Sequence, residues 1–450
     1  MITRRTATAG LAAAFASLPL RVRAQSVPSI VDGLKGNGIT PELRAAPSPM
    51  RLRPDASKDA DVWTLGGTLA PALRIKHGQE LRLALKNETA LPLSLHLHGV
   101  RGLNAMDGVG GLTQAPIQPG SRFDYRFTPP DAGTYLIRPC VIGGSAEPLE
   151  RGLSGLLIVG EQSPPPVDRD EAILVDDWRL EEDGSLSPFA PDAVGRLGNW
   201  LSVNGQAIPL RIEARPGSRV RLRLANACNA RIMRLRFDRV KPYVVAIDGQ
   251  PTDTFEPLRS SLPFAPGTRY DVILDLPDEA GATGAVTAMI GDGMPLVELV
   301  AVGEKSPSRP QIQPIPPNKK LPETIKLQNA TRKNLAIKAG ADGAKSRWVI
   351  NGMAGDVKVP VLKVRRGAPV VLAIDNQTDL VQPMHLHGHV FRLLHGLDDG
   401  WEPYFLDTLQ VPERRTARIA FVADNPGKWL LASTVMERFD AGLWTWIEVS

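Results

Sequence analysis

Five of the seven histidines in this 450-residue chain lie in two short segments. One reads SLHLHG and carries His96 and His98; the other reads MHLHGHV and carries His385, His387 and His389. Alternate residues of a strand point to one face, so each segment, as a strand, presents its imidazoles together. Neutral imidazole is a ligand for copper, zinc, iron or nickel. A lone H-x-H pair is commonplace on protein surfaces. Two pairs, each followed at once by glycine (Gly99, Gly388), point to four imidazoles converging on a metal ion where the segments face each other. His389 is expected to pack or to support a ligand. His77, in a turn, and His395, after a strand, are expected to be ordinary solvated residues.

These segments hold fixed places in an internal repeat. LRIKHGQELRLALKN (73–87), LRIEARPGSRVRLRLAN (210–226) and LKVRRGAPVVLAIDN (362–376) share an alternating apolar run, a turn carrying Gly78, Gly217 or Gly367, and a second alternating run. The second run ends nine residues after the glycine, at Asn87, Asn226 or Asn376. Period-2 alternation around glycine predicts paired strands with one buried face. PGSRFDYRF (119–127) resembles PGTRYDVIL (266–274), and RRTARIAFV (414–422) is a weaker third copy. Nine and eleven residues beyond the repeat asparagine stand His96 and His98 in the first copy and His385 and His387 in the third. The second copy has Leu235 and Phe237 there. Repeats of this length are too long for solenoid units and fit β-domains. Pro-rich connectors, GEQSPPPVDRDE (160–171) and GEKSPSRPQIQPIPPNKKLPE (303–323), separate the copies. The expected architecture is all-β: Greek-key domains over 40–160, 165–303 and 324–450, with a Pro-rich linker over 304–323.

Composition narrows the classes. With 43% apolar residues the chain carries a core, and its length suits two to four domains. Two cysteines argue against a zinc scaffold, a disulfide framework or an iron–sulfur protein. The formal charge is +5, but four arginines lie in the first 24 residues, which contain no acid. Arg4-Arg5, an Ala- and Leu-rich run to Leu20 and Val22-Arg23-Ala24 read as an export signal over 1–24, with the twin-arginine (Tat) route indicated and the Sec route as the alternative. Without those arginines the charge is +1. No basic stripe with interleaved aromatics argues for nucleic acid, and no apolar run is long enough for a transmembrane segment.

The motifs together resemble the multicopper oxidases of laccase type. SLHLHG with DGVGGLTQAPIQPGSRFDYRF, GTYLIRPC and GLSGLLIVG is similar to their first domain. VNGQ, AIDGQ and PGTRYDVIL are similar to the second, and QPMHLHGHVFRLL, DTLQVPERRTARIAF and NPGKWLL to the third. The resemblance implies three consecutive cupredoxin-like domains in a periplasmic protein. It also assigns roles: His96 and His385 match the type 2 copper pair, and His98 and His387 match one type 3 ligand each. Asp107 matches an acid that orients water and relays protons near the type 2 copper; read as a residue alone, it is a turn Asp before Gly108.

The same resemblance exposes departures. The family's second motif, H-S-H, stands here as Arg138-Pro139-Cys140, and its fourth, H-C-H, as Ala432-Ser433-Thr434. The type 1 histidines stand as Gln382 and Arg438, and the type 1 cysteine as Ser433. A blue copper centre needs a thiolate and two imidazoles, so the type 1 centre and half of the trinuclear ligands are expected to be missing. Four imidazoles suffice for one copper ion, with Cys140 as a further, soft donor; the alternative is that Cys140 is a small buried residue and Arg138 fills the vacated space. A Cys140–Cys228 disulfide is permitted by an exported location but nothing local favours it. Two functions follow. One is a periplasmic binding or scaffold protein with a residual four-histidine site able to hold one copper, similar to the copper-less group associated with cell division, acting on a periplasmic protein partner. The alternative is a copper-binding oxidoreductase with a reduced copper centre, slow oxidase activity and a small-molecule reductant.

Overall fold

The structure, a computed structural model, describes residues 42–340, 348–396 and 400–450. The export signal expected over 1–24, and residues 40–41 of the first expected domain, lie outside the described residues. Among these the chain is almost wholly β, with six sheets and two five-residue α-helices, Ala146–Glu150 and Met436–Asp440. The sheets form three sandwiches, with strands over 42–160, 169–301 and 331–449. Each sandwich closes on its own apolar core, drawn from both of its sheets: Leu83, Leu97 and Tyr135 in the first, Leu222, Leu235 and Phe264 in the second, Leu372, Leu386 and Trp429 in the third. The all-β, three-domain, cupredoxin-like expectation therefore holds.

The Gly-centred repeats are not hairpins, which corrects the pairing expected above. Ala72–Lys76 pairs with Gly155–Gly160 in one sheet, whereas Leu81–Asn87 lies between Glu42–Met50 and Arg122–Phe127 in the other. Leu210–Ala214 and Arg219–Asn226 divide in the same way, as do Leu362–Val364 and Ala368–Asn376. Both runs alternate because both bury one face in the same core. Alternation fixes which residues face inward and carries no information about which sheet holds them. The turn glycines, at φ 83°, 70° and 83°, carry the chain from one sheet to the opposite one.

The repeat asparagines are the corners that set the histidine strands. All three are fully buried. Asn87 donates from Nδ2 to the carbonyls of Leu91 and Ile117, each at 2.8 Å, and accepts at Oδ1 from the Thr89 amide at 3.0 Å. Asn376 repeats the pattern with Leu380, Val411 and the Thr378 amide. Asn226 does so with Arg231, Phe264 and the Cys228 amide. One side chain thus satisfies backbone groups that a buried loop would leave unpaired, and the next strand starts at a fixed distance.

That strand is Leu95–His98 in the first sandwich, paired antiparallel with Gly133–Pro139, so that His96 faces Arg138 across the ladder. In the third it is Gln382–Leu386, between Thr408–Val411 and Gly427–Ser433. In the second it is Met233–Asp238, whose Leu235 and Phe237 are core, as expected. The third copy departs from expectation in one respect. The strand ends at Leu386, so His387 lies in the following turn and His389 beyond it. His385, His387 and His389 therefore do not project from one strand face. The two glycines after the H-x-H pairs are required by close approach: a Cβ on Gly99, at φ 95°, would collide with Arg269 and Asp407, and one on Gly388, at φ 65°, with Trp429.

Candidate metal centre

His96, His98, His385 and His387 meet at the seam between the first and third sandwiches, all of them buried. They form two stacked pairs, each spanning the seam: His96 on His387 with ring centroids 3.8 Å apart, and His98 on His385 at 3.6 Å. His96 Nε2 faces His385 Nε2 at 3.3 Å. His96, His385 and His387 offer ring nitrogens that all lie within 4.8 Å of one another.

Each ring is held from behind. His96 Nδ1 lies 2.7 Å from the Asp107 carbonyl, and His385 Nδ1 lies 2.9 Å from the Asp407 carbonyl. His387 Nδ1 lies 3.0 Å from the Asp107 carboxylate, which is buried with it. A carbonyl oxygen only accepts, so Nδ1 of His96 and of His385 carries a proton; in the neutral form of either ring Nε2 keeps its lone pair. With both rings neutral, two lone pairs stand 3.3 Å apart, an arrangement that a cation between them would relieve. Nitrogens about 2.0–2.1 Å from one ion reach such a separation without strain. The donor set, imidazoles braced by a carboxylate and backbone carbonyls, is one that could hold a metal ion, and it fits copper.

The surroundings disfavour the charged form of His98, His385 and His387. Burial, joined by neighbouring His385, holds His98 well below the ordinary imidazole range. Burial likewise lowers His385, against the pull of Asp407. Burial and His96 push His387 down to about 3. Burial alone would raise Asp107, but His387 and His96 outweigh it and hold the carboxyl well below its usual range. The enclosed space between the rings, Arg138, Cys140 and Thr434 is about 10 Å³ for the centre of a water-sized sphere, room for about one small ligand.

Arg138 and Cys140 line that space. The Arg138 guanidinium donates to the Thr434 carbonyl at 2.9 Å, and burial brings it down to about 10. Burial, reinforced by Asp107, drives the Cys140 thiol far above its usual range. Cys140 and Cys228 are both free and buried. His389 stands apart: its Nδ1 is 3.2 Å from the His387 carbonyl, and its ring packs on Phe421 and Trp429. His395 is exposed, whereas His77 is half-buried, with Nε2 3.2 Å from the Pro130 carbonyl.

At the positions that the resemblance gives to type 1 copper, Arg438 donates to the Gln382 amide oxygen at 2.8 Å and to the Val381 carbonyl at 2.6 Å. Its Nε donates to the Val194 carbonyl at 2.8 Å, and its head lies 5.7 Å from the Trp348 ring centroid. Ser433 accepts from the Val435 amide.

Sequence reasoning missed the support beneath the rings. Arg269, from the second sandwich and fully buried, bonds both Asp407 oxygens at 3.0 and 2.6 Å and the Thr134 carbonyl at 3.1 Å. Asp248 accepts from the amides of Asp407 and Thr408, and Thr408 Oγ1 lies 2.9 Å from His98 Nε2. The histidine-free sandwich therefore braces a site it does not line. The one available signal was the PGTRYD repeat, but its counterpart Arg122 is an exposed surface residue.

Comparison with known proteins agrees with this arrangement. Family models described as multicopper oxidase match residues 48–164, 173–287 and 316–450. The multicopper oxidase MmcO of Mycobacterium tuberculosis is 29% identical over 468 residues, 93% of this chain and 90% of that protein. The cell division protein FtsP of Yersinia pestis is 30% identical over 309 residues, 63% of this chain and 62% of its own. The crystal structure of a multi-copper oxidase from Pseudomonas parafulva matches with a TM-score of 0.82 at 31% identity, covering 91% of this chain and 100% of that one.

Proposed function

The chain belongs to the multicopper oxidase family, and from that premise we propose that it is an exported binding protein holding one copper ion in its four-histidine site, without four-copper oxidase chemistry. The observation that carries this is the pair of Nε2 atoms of His96 and His385 facing each other at 3.3 Å, each ring with Nδ1 against a carbonyl acceptor on its far side.

His96, His385 and His387 hold the ion, with His98 beside them. Asp107 acts through them: its carbonyl and carboxylate orient His96 and His387, one from each sandwich. Bound copper supplies a redox-active cation; the chain supplies its ligands and a nearly closed cavity. Nothing at Gln382, Ser433 and Arg438 offers a thiolate or an imidazole, so the ordinary entry for electrons from an organic donor is missing. A buried guanidinium occupying that position also opposes a cation there. Asp107 as a proton relay, and Cys140 as a further soft ligand, belong to the same reading but have less support: the thiol is held protonated, and the carboxylate already accepts from His387.

The twin-arginine signal over 1–24 supports export of the folded chain to the periplasm. Among the described residues no helix is long and apolar enough to cross a membrane. The partner is a periplasmic protein or a small-molecule reductant, not nucleic acid.

One observation favours a second reading, a copper-free scaffold: the Arg138 guanidinium lines the same cavity as the four rings. Metal analysis after loading in copper-supplemented medium separates the two. The first requires about one copper per chain, no intense blue thiolate band, a raised Tm, and loss of the ion in His385→Ala. No copper above background and an unmoved Tm replace it with the scaffold. Four coppers with a strong blue band overturn both.

A further inference from the structure

The enclosed space beside the four rings has a second wall of opposite character. Arg138 pairs with His96 across the ladder and lines that space together with Cys140. It is 3% exposed, and its one hydrogen bond among the described residues runs from Nη2 to the Thr434 carbonyl. A guanidinium carries five N–H donors, so the rest have no acceptor. Nε and Nη1 of Arg221 are sealed in protein without a partner; those of Arg138 are not sealed, and the residue lines the enclosed space.

No other buried arginine among the described residues is left in this state. Arg219, Arg221, Arg223 and Arg269 each meet a carboxylate, and Arg196 meets Glu150. Arg438 has no carboxylate, but two carbonyls and the Gln382 amide oxygen answer it. Arg138 has one carbonyl and no counter-ion, and repulsion from the buried Arg269 adds to its burial penalty. A buried charge that is neither paired nor fully hydrogen-bonded is costly. The demand is for negative charge, and it falls on a residue that borders a cavity.

We propose that the Arg138 end of this cavity holds one monovalent anion of halide size, seated on the unspent N–H groups of the guanidinium. The space admits about one ligand the size of a water molecule, which excludes carboxylates, phosphate and sulfate. Water fits, but it brings no charge to the guanidinium. The wall around it is largely apolar, with Leu430, Ala432 and Phe439, so a weakly hydrated chloride or bromide enters at less cost than fluoride. Such an anion also offsets the repulsion between Arg138 and a cation at the imidazole end. The site stands on the guanidinium and the enclosed space, and does not depend on copper.

The test titrates the chelator-treated full chain with sodium chloride and sodium bromide against sodium gluconate, at fixed ionic strength, by thermal unfolding. A saturable rise in Tm with either halide and none with gluconate is expected. Crystals grown with bromide should show an anomalous peak within hydrogen-bonding distance of the Arg138 guanidinium. Arg138→Met should lose at least about tenfold in halide affinity, the scale of one charge-assisted hydrogen bond. Should that variant fail to fold, Arg138→Lys, which keeps the charge but not the planar fork, should lose about three- to tenfold. Equal responses to chloride and gluconate, unchanged halide affinity in Arg138→Met, or bromide found only on the outer surface overturns the proposal. A copper-loading failure would leave these measurements unaffected, so the two readings fail separately.

Discussion

Replacing Arg269 by methionine tests how far the histidine-free sandwich sustains the four-histidine site. The guanidinium makes two bonds to Asp407, one to the Thr134 carbonyl and one to the Gly267 carbonyl at 2.9 Å, and stands 3.7 Å from Asp248. Methionine fills much of the volume and removes the charge, leaving two buried carboxylates sharing a site with no cation. Breaking a buried pair from one side costs about 3–5 kcal/mol. Two orphaned carbonyls would add to this, at about 1–3 kcal/mol each where water cannot reach them. One relief exists: burial and Asp407 already push Asp248 up to about 7, so it takes a proton readily and keeps the total toward the lower figure. For a domain of this size 3–5 kcal/mol is a fall of roughly 10 °C or more in Tm. Adding Asp407→Asn removes the stranded charge and should recover about 1–3 kcal/mol, a coupling that a double-mutant cycle reads directly. Thermal unfolding of wild type, both single variants and the double variant gives these values, and copper content gives the effect on His385, which Asp407 holds through its carbonyl. A change below about 1 kcal/mol in Arg269→Met, or strict additivity in the double variant, would refute the argument.

Three further predictions follow from other parts of the molecule. The triple change Gln382→His, Ser433→Cys, Arg438→His restores two imidazoles and a thiolate at one place; it should add a second copper with an intense blue band, and absence of any added copper would show that these three side chains do not occupy a latent type 1 site. Glu437, at about 8 in the folded chain against an ordinary 4.5, keeps its proton when the unfolded chain has lost it. Stability should therefore fall as pH rises from about 4.5 to about 8, and Glu437→Gln should flatten that slope in pH-dependent denaturation. Asn376→Ala strands the buried carbonyls of Leu380 and Val411, at about 1–3 kcal/mol for each unmet group; urea unfolding should show a loss of at least about 2 kcal/mol, where an exposed asparagine would give almost none.

Much of this could be read from the chain. Four histidines at matching offsets from Asn87 and Asn376 identify the site because the repeat converts one ambiguous motif into two correlated ones. Leu235 and Phe237 could be assigned to core by the same rule. The strand pairing could not, because residues 73–87 alternate identically whether the two runs share a sheet or face each other across the core. The Arg269–Asp407 pair was equally hidden. Its members are 138 positions apart, and PGTR looks like PGSR although one arginine is buried and the other exposed. The turn that breaks the strand at Leu386 depends on Gly388 meeting the Trp429 ring, a contact made only in the folded third sandwich.

The two stacked imidazole pairs have a consequence for the order in which the protein is made. His96 and His385 are 289 positions apart, and each stack joins one ring from the first sandwich to one from the third. Neither H-x-H segment alone offers more than a two-toothed grip, so the nascent chain has little to retain an ion while its domains are separate. Tight coordination begins only when the outer sandwiches have docked across the middle one. An ion held there would thus be a late arrival that enters a finished protein, and its residence time would report whether that last docking step has taken place.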